Sequence, residues 1–220
     1  MSNTEFLGLF PLQLVIFPGE DVNLHIFEER YQQLVGECFE EGKTFGIPPY
    51  FNEKVQIFGT EMEIRSVDRF YDSGEMDITV RGKRIFKLED YENPASGKLY
   101  AGGTVQWLHE ESYDMDSERV NSRLQAKFLN YVRQLYEILQ HPAPIDENTE
   151  QPLSWSLAHK ITLSLEQEYK LLTTFDEEER LQFMIKHMRK TIPIINQVEQ
   201  TKRLIKMNGH FRKIDPPSDF

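Results

Sequence analysis

Gly36-Glu-Cys-Phe-Glu-Glu-Gly-Lys-Thr44 comes closest in this chain to a motif that carries chemistry. It ends in Gly42-Lys43-Thr44, as a phosphate-binding loop does. The spacing is wrong: five residues separate Gly36 from Gly42, and the motif has four. The order is also wrong, because a phosphate loop precedes its helix so that the helix N-terminus faces the anion. Here the residues follow a helical pattern, and Glu37, Glu40 and Glu41 would repel phosphate. A helix stop with Lys43 near its negative end accounts for them. Cys38, the one cysteine, sits on that helical pattern with no His partner nearby, and reads as a small buried apolar residue rather than a nucleophile.

The six histidines, His25, His109, His141, His159, His187 and His210, are scattered. No two lie one turn apart, as a helical zinc site requires. A Gly-x-Ser-x-Gly nucleophile motif is absent. Carboxylates cluster at Asp114 to Glu118 and at Asp176 to Glu179, both expected helix N-termini, where the macrodipole favours negative charge. A carboxylate acid–base pair would have to come from positions distant in sequence. No catalytic residue, cofactor or metal is therefore expected. What remains is aromatic area: Tyr50-Phe51 after the Pro48-Pro49 bend, and Phe70-Tyr71 before a hairpin tip. Such residues either fold into the core or serve peptide capture, since rigid rings bind at little entropic cost.

The elements that would hold these residues fall into two kinds. Phe10 to Tyr31 reads strand, turn, strand, helix start: apolar runs flank Pro18-Gly19, and Glu28-Glu-Arg-Tyr31 follows. Val22, Leu24 and Ile26 alternate with polar neighbours. Tyr31, Leu34, Val35, Cys38 and Phe39 take helical spacing over 28–41, and Gly42 stops the helix. Residues 44–51 read as a strand bent at the prolines. Residues 55–71 and 76–88 form a hairpin about Asp72-Ser-Gly-Glu75, irregular near Gly59-Thr60, with Gly82 marking a bulge or a close backbone approach. Residues 99–108 supply a last strand.

After Glu110 the period becomes helical. Ser117 is the expected cap of a helix whose stripe runs from Val120 to Leu139. A proline-rich connector, 141–152, follows. Ser154 starts a short helix, Ser164 with Gln167 forms a capping box, and Asp176 with Glu179 forms another. The long last helix contains Pro193, where a kink or break is expected. The tail from Gly209 to Phe220 is expected to fray. The expected class is α+β: a β-rich barrel with one helix over 1–112, then a helical bundle over 113–220 with a long C-terminal helix.

The net charge of −11 repels a phosphate backbone, so nucleic-acid binding is not expected. One cysteine permits no internal disulfide. The N-terminus lacks a signal-peptide pattern, and no run nears the ~20 apolar residues of a bilayer span. A cytoplasmic protein without membrane contact is expected.

Phe10-Pro-Leu-x-Leu-Val-x-Phe-Pro-Gly19, Leu24-His-Ile-Phe-Glu-x-Arg-Tyr31, Phe45-Gly46, Gly59-Thr60 and Arg81-Gly82 with Ile85-Phe86 occur in the order of the Lon protease N-terminal domain, which the chain resembles. Leu171-Leu172 and Glu179-Arg180-Leu181 continue the resemblance, which covers about Leu9 to Lys206. It implies a PUA-like β unit followed by a helical bundle. It implies recognition of unfolded or exposed protein segments, without catalysis, and an adaptor role in protein quality control, with other proteolysis components as further partners. The chain ends at Phe220 with no residues for an ATPase or a Ser–Lys protease module, so a stand-alone member is expected.

Glu29, Arg30, Tyr50 and Phe51 are the candidate peptide-binding residues, on one concave face. The competing reading is structural: Arg30 pairs with a carboxylate and Tyr31 packs beneath the helix. A small-molecule binder or minor hydrolase with a cleft between the two halves is the alternative function.

Overall fold

Alternating apolar residues build a sheet that closes on itself. In the computed structural model, which describes residues 4–108, 121–146, 149 and 151–209, eight strands carry the first half. They are Thr4–Leu9 (β1), Asp21–Ile26 (β2), Phe45–Ile47 (β3), Tyr50–Phe51 (β4), Lys54–Val55 (β5), Phe58–Phe70 (β6), Met76–Leu88 (β7) and Ala101–Trp107 (β8). The main sheet runs β2-β7-β6-β3-β1-β8, and β7 also pairs with β8, which closes the barrel. β7 manages this by dividing its length. Met76–Arg81 pairs with β2, and Phe86–Leu88 pairs with β8.

The division falls at a bulge. Thr60 faces Ile85 but Met62 faces Gly82, so Lys83 and Arg84 stand against Glu61 alone. Both expectations for Gly82 hold together, since a Cβ there would lie 2.5 Å from the carbonyl oxygen of Phe17. Gly82 N–H donates to the Glu20 carbonyl and the Gly82 carbonyl accepts from Gly19 N–H, at 2.9 and 2.8 Å.

Leu12 to Phe17, expected as the first strand of the opening motif, is not one. Leu12 makes a single bridge to Pro49, and the run continues as extended chain outside the sheet. Its period of two survives because it lies between two cores. Val15 and Phe17 join the helical cluster, whereas Ile16 joins the barrel cluster, and all three are buried. Thr60 Oγ1 donates to the Ile16 carbonyl, so part of the backbone is satisfied by a side chain in place of a ladder.

Glu29–Glu41 forms α1, ended by Gly42 at φ 62°, where left-handed backbone favours glycine. Tyr31, Leu34, Val35 and Cys38 face the barrel core. Burial pushes the Cys38 thiol up to about 11, as an inert core cysteine requires. Lys43 pairs with Glu41, and Thr44 Oγ1 donates to buried Glu61 at 2.6 Å, so the Gly-Lys-Thr run is a helix stop.

The second half is helical: Ser122–Leu139 (α2), Leu153–Leu157 (α3) with a 3-10 turn at Ala158–Lys160, Leu165–Leu172 (α4) and Glu177–Gly209 (α5). Ser117, the tail beyond Gly209 and the expected 112/113 boundary lie outside the described residues. α2 starts at Asn121, whose side chain accepts from Arg123 N–H. The Ser164–Gln167 box is complete in both directions, and Asp176 accepts from Glu179 N–H at 2.7 Å. Ser154 is not a cap. Pro152 precedes α3, and buried Ser154 instead bonds Glu177 and Arg180 on α5. α5 continues through Pro193, so of the expected kink or break the break does not occur, and its 33 residues amount to about 50 Å of helical rise. Beyond Pro193 it exposes Ile194, Val198, Leu204 and Ile205.

One apolar cluster unites the halves: Val15, Phe17 and Ile85 pack with Phe128, Trp155, Leu172, Leu181 and Met184. Polar contacts reinforce it. His159 lies 2.8 Å from Glu168 and 3.3 Å from Glu20 of the opening motif, and Gln151 donates to the Pro18 carbonyl. No helix among the described residues is long and apolar enough to cross a membrane.

Candidate functional site

Five stretches of chain, one of them Ala101 at the start of β8, meet and leave a cleft of about 330 Å³. The stretch after β1 runs beside β3 and β4: Phe10 N–H donates to Gly46, and Tyr50 N–H donates to the Leu12 carbonyl at 2.7 Å. This sets Pro11 next to Tyr50. The two-residue hairpin β4–β5 adds Val55 opposite Tyr50. Its turn residues Asn52 and Glu53 both have positive φ, 52° and 58°, the geometry that matches strand twist in a tight hairpin. Glu92 pairs with Gly102 and thereby fixes Tyr91 and Asn93 at the rim. The first turn of α1 contributes Arg30 and Tyr31.

Tyr31 forms the floor. Its ring stacks on Phe10 at 3.7 Å between centroids, and the Arg30 guanidinium lies 4.6 Å above it. Arg30 is itself held by Glu28, with Nε 2.8 Å and Nη2 2.6 Å from one carboxylate oxygen. Both structural expectations for this pair therefore hold, and Arg30 nevertheless lines the cleft. Burial raises the Tyr31 and Tyr91 phenols above their ordinary value, against the pull of Arg30. Both are protonated near neutral pH and can donate hydrogen bonds. Among the described lining residues there is no carboxylate, histidine, cysteine or serine. The cleft offers aromatic faces, phenol and amide donors and one guanidinium. That set suits a backbone carbonyl or carboxylate and an apolar side chain.

The four residues expected to form the site separate here. Arg30 and Tyr50 line the cleft; Tyr50 is 37% exposed. Glu29 is exposed in the first turn of α1 but does not line it. Phe51 follows Tyr50 on the same short strand and so points the other way. Its ring meets Tyr169 of α4 edge-on at 5.5 Å, a contact between the halves. Pro11, Tyr91 and Asn93 escaped sequence reasoning. An aromatic beside the Asn93-Pro94 turn was the available signal.

Among the described residues no group of three or more His, Cys, Asp or Glu is placed to hold a metal ion. A second hollow, about 260 Å³, lies between α4 and α5, lined by Gln167, Lys170, Phe183, Lys186, His187 and Lys190.

The sequence model of the ATP-dependent protease La (LON) substrate-binding domain matches residues 7–190. The chain belongs to this Lon substrate-binding family. A Lon N-terminal domain protein from Xanthomonas campestris has a similar structure, with TM-score 0.64 and 27% identity, over 83% of this chain and 98% of that one. The N-terminal domain of Mycobacterium avium complex Lon protease shares the fold, with TM-score 0.58 and 16% identity, over 84% and 98%. No curated protein matches the chain. Membership of the Lon substrate-binding family points to recognition of protein substrates, and the matched residues include the whole tyrosine-lined cleft.

Proposed function

We propose that this protein binds unfolded or exposed protein segments in the cleft of Arg30, Tyr31, Tyr50 and Tyr91, without chemistry of its own, and acts as an adaptor in protein quality control. The observation that carries this reading is the lining itself. It combines three tyrosines and an arginine, with no carboxylate, histidine, cysteine or serine among the described lining residues, in a domain of a substrate-binding family. An extended segment would place an apolar side chain against Tyr31 and Tyr50 and a carbonyl or carboxylate near Arg30. Buried tyrosine and arginine contacts are those that dominate binding energy in protein recognition.

The test is retention of a reduced, alkylated and therefore permanently unfolded protein on the immobilised chain, without ATP. Arg30→Gln with Tyr50→Ala is expected to weaken retention about tenfold, the loss of roughly 1.4 kcal/mol. Both residues are exposed, so the variant is expected to melt as the parent does. Equal retention by parent and variant would overturn the cleft, and no retention by the parent would overturn the function.

A further inference from the structure

The groove between α4 and α5 inverts the charge of the molecule. The chain holds 36 acidic against 25 basic residues. Yet from Leu181 to Val198, α5 carries Lys186, Arg189 and Lys190 and no carboxylate. Lys186 and Lys190 lie one turn apart, and Lys170 of α4 joins them across the groove. Four other lysines pair with a carboxylate, Lys43 with Glu41, Lys87 with Glu89, Lys98 with Glu37 and Lys202 with Glu199, while Lys54, Lys83 and Lys160 have none among the described residues but do not share one groove. Among the described residues Lys170, Lys186 and Lys190 have no such carboxylate. Glu166 and Glu179, one turn before Lys170 and Phe183, are not among the lining residues.

The groove also has a floor and a fixed shape. Phe183 is half-buried in it, with the Lys170 ammonium 4.7 Å from the ring centroid. Gln167 meets His187 across the two helices at 3.3 Å. Beneath them Leu171, Leu172, Met184 and Met188 are buried, which locks the helices together. Three ammonium groups around an apolar patch repel each other, and an anionic partner relieves that repulsion.

We propose that this groove docks acidic protein segments, with carboxylates on Lys170, Lys186 and Lys190 and one apolar side chain on Phe183. A volume near 260 Å³ takes the apolar side chain, while the exposed ammonium groups meet the carboxylates of a short stretch and not a long polyanion. The net charge of −11 would repel nucleic acid beyond the groove, while a short acidic stretch needs only the groove itself. The site is separate from the tyrosine cleft and does not depend on it.

Fluorescence polarisation with a short labelled peptide tests this. The probe carries Asp and Glu around a central Leu-Phe pair, and its control carries Asn and Gln instead. The acidic peptide is expected to bind about tenfold more tightly than the amide control, and the preference is expected to shrink with added salt. K170Q/K186Q/K190Q is expected to remove about tenfold, at ordinary values for exposed ion pairs, while K54Q/K83Q/K160Q changes nothing. Both variants replace exposed side chains, and a thermal melt checks that each remains folded. Equal binding of the two peptides, no binding, or an unaffected lysine variant would each overturn the proposal. So would loss of binding in R30Q/Y50A with binding kept in the lysine variant, which would assign the peptide to the cleft. A single-stranded RNA of equal length that binds more tightly than the peptide would overturn the partner class.

Discussion

Arg180 has no exposed surface, and every direction from its guanidinium is occupied. Nε donates to Ser154 Oγ and Glu177, Nη1 to the carbonyls of Thr174 and Phe175, and the plane lies 4.5 Å from the Trp155 ring. Removing the cation alone would leave the Glu177 carboxylate buried beside Ser154 without its partner. Arg180→Ala is expected to cost about 3–5 kcal/mol, read as a lower urea midpoint. His159 is held from two sides without being fully buried. Burial alone would lower its imidazole, but hydrogen bonds to Glu168 and Glu20 outweigh that and raise it to about 10. Its folded value therefore exceeds the unfolded value of about 6.5, so the stabilisation is full below that pH and is lost as pH rises through about 10. Parent and His159→Gln are expected to differ by roughly 1–3 kcal/mol at pH 6, with the gap closing toward pH 10. A gap independent of pH would show that His159 acts through packing alone.

Gly82 shows how one position can hold two elements in register. Ala there would press its Cβ against the Phe17 backbone, and neither β7 nor the 15–17 segment has a free direction to move. Gly82→Ala is expected to cost about 1–3 kcal/mol, measured by thermal or urea unfolding. That glycine was readable beforehand, as were α1, from the spacing of Tyr31, Leu34, Val35 and Cys38, and the Ser164 cap, from Gln167 three residues on. These signals are local. Leu12 to Phe17 misled because alternation reports two different surroundings, and here those are two cores instead of a core and solvent. Ser154 misled because its partner lies 23 residues away in sequence. The β4–β5 hairpin was hidden by Pro48-Pro49 and by a turn, Asn52-Glu53, that contains no glycine. Two of the eight residues that line the cleft, Arg30 and Tyr50, were legible as candidates. Tyr91 and Asn93 reach it only through the pairing of Glu92 with Gly102, a long-range fact that no spacing encodes.

The molecule as a whole is divided by period but not by core. Strand and helical halves share Val15, Phe17 and Ile85, and the opening motif anchors both. The Pro18-Gly19 turn and Glu20 receive Gln151 and His159 from the helical half, so the stretch that marks the family is also the joint of the fold. The β4 strand spans the same divide in miniature. Tyr50 stands in the cleft while its neighbour Phe51 rests on Tyr169, whose hydroxyl accepts Phe58 N–H at 3.1 Å. Two adjacent side chains thus face opposite ways from one two-residue strand, one toward the cleft and one toward the helical half. If the Phe51–Tyr169 contact holds that strand in place, its loss is expected to loosen Tyr50 as well, and by reciprocity a ligand on Tyr50 is expected to steady Phe51 to the same extent. Tyr169→Ala, remote from the cleft lining, is expected to weaken capture of unfolded protein by about two- to fivefold, and bound peptide is expected to raise the melting temperature less in that variant than in the parent.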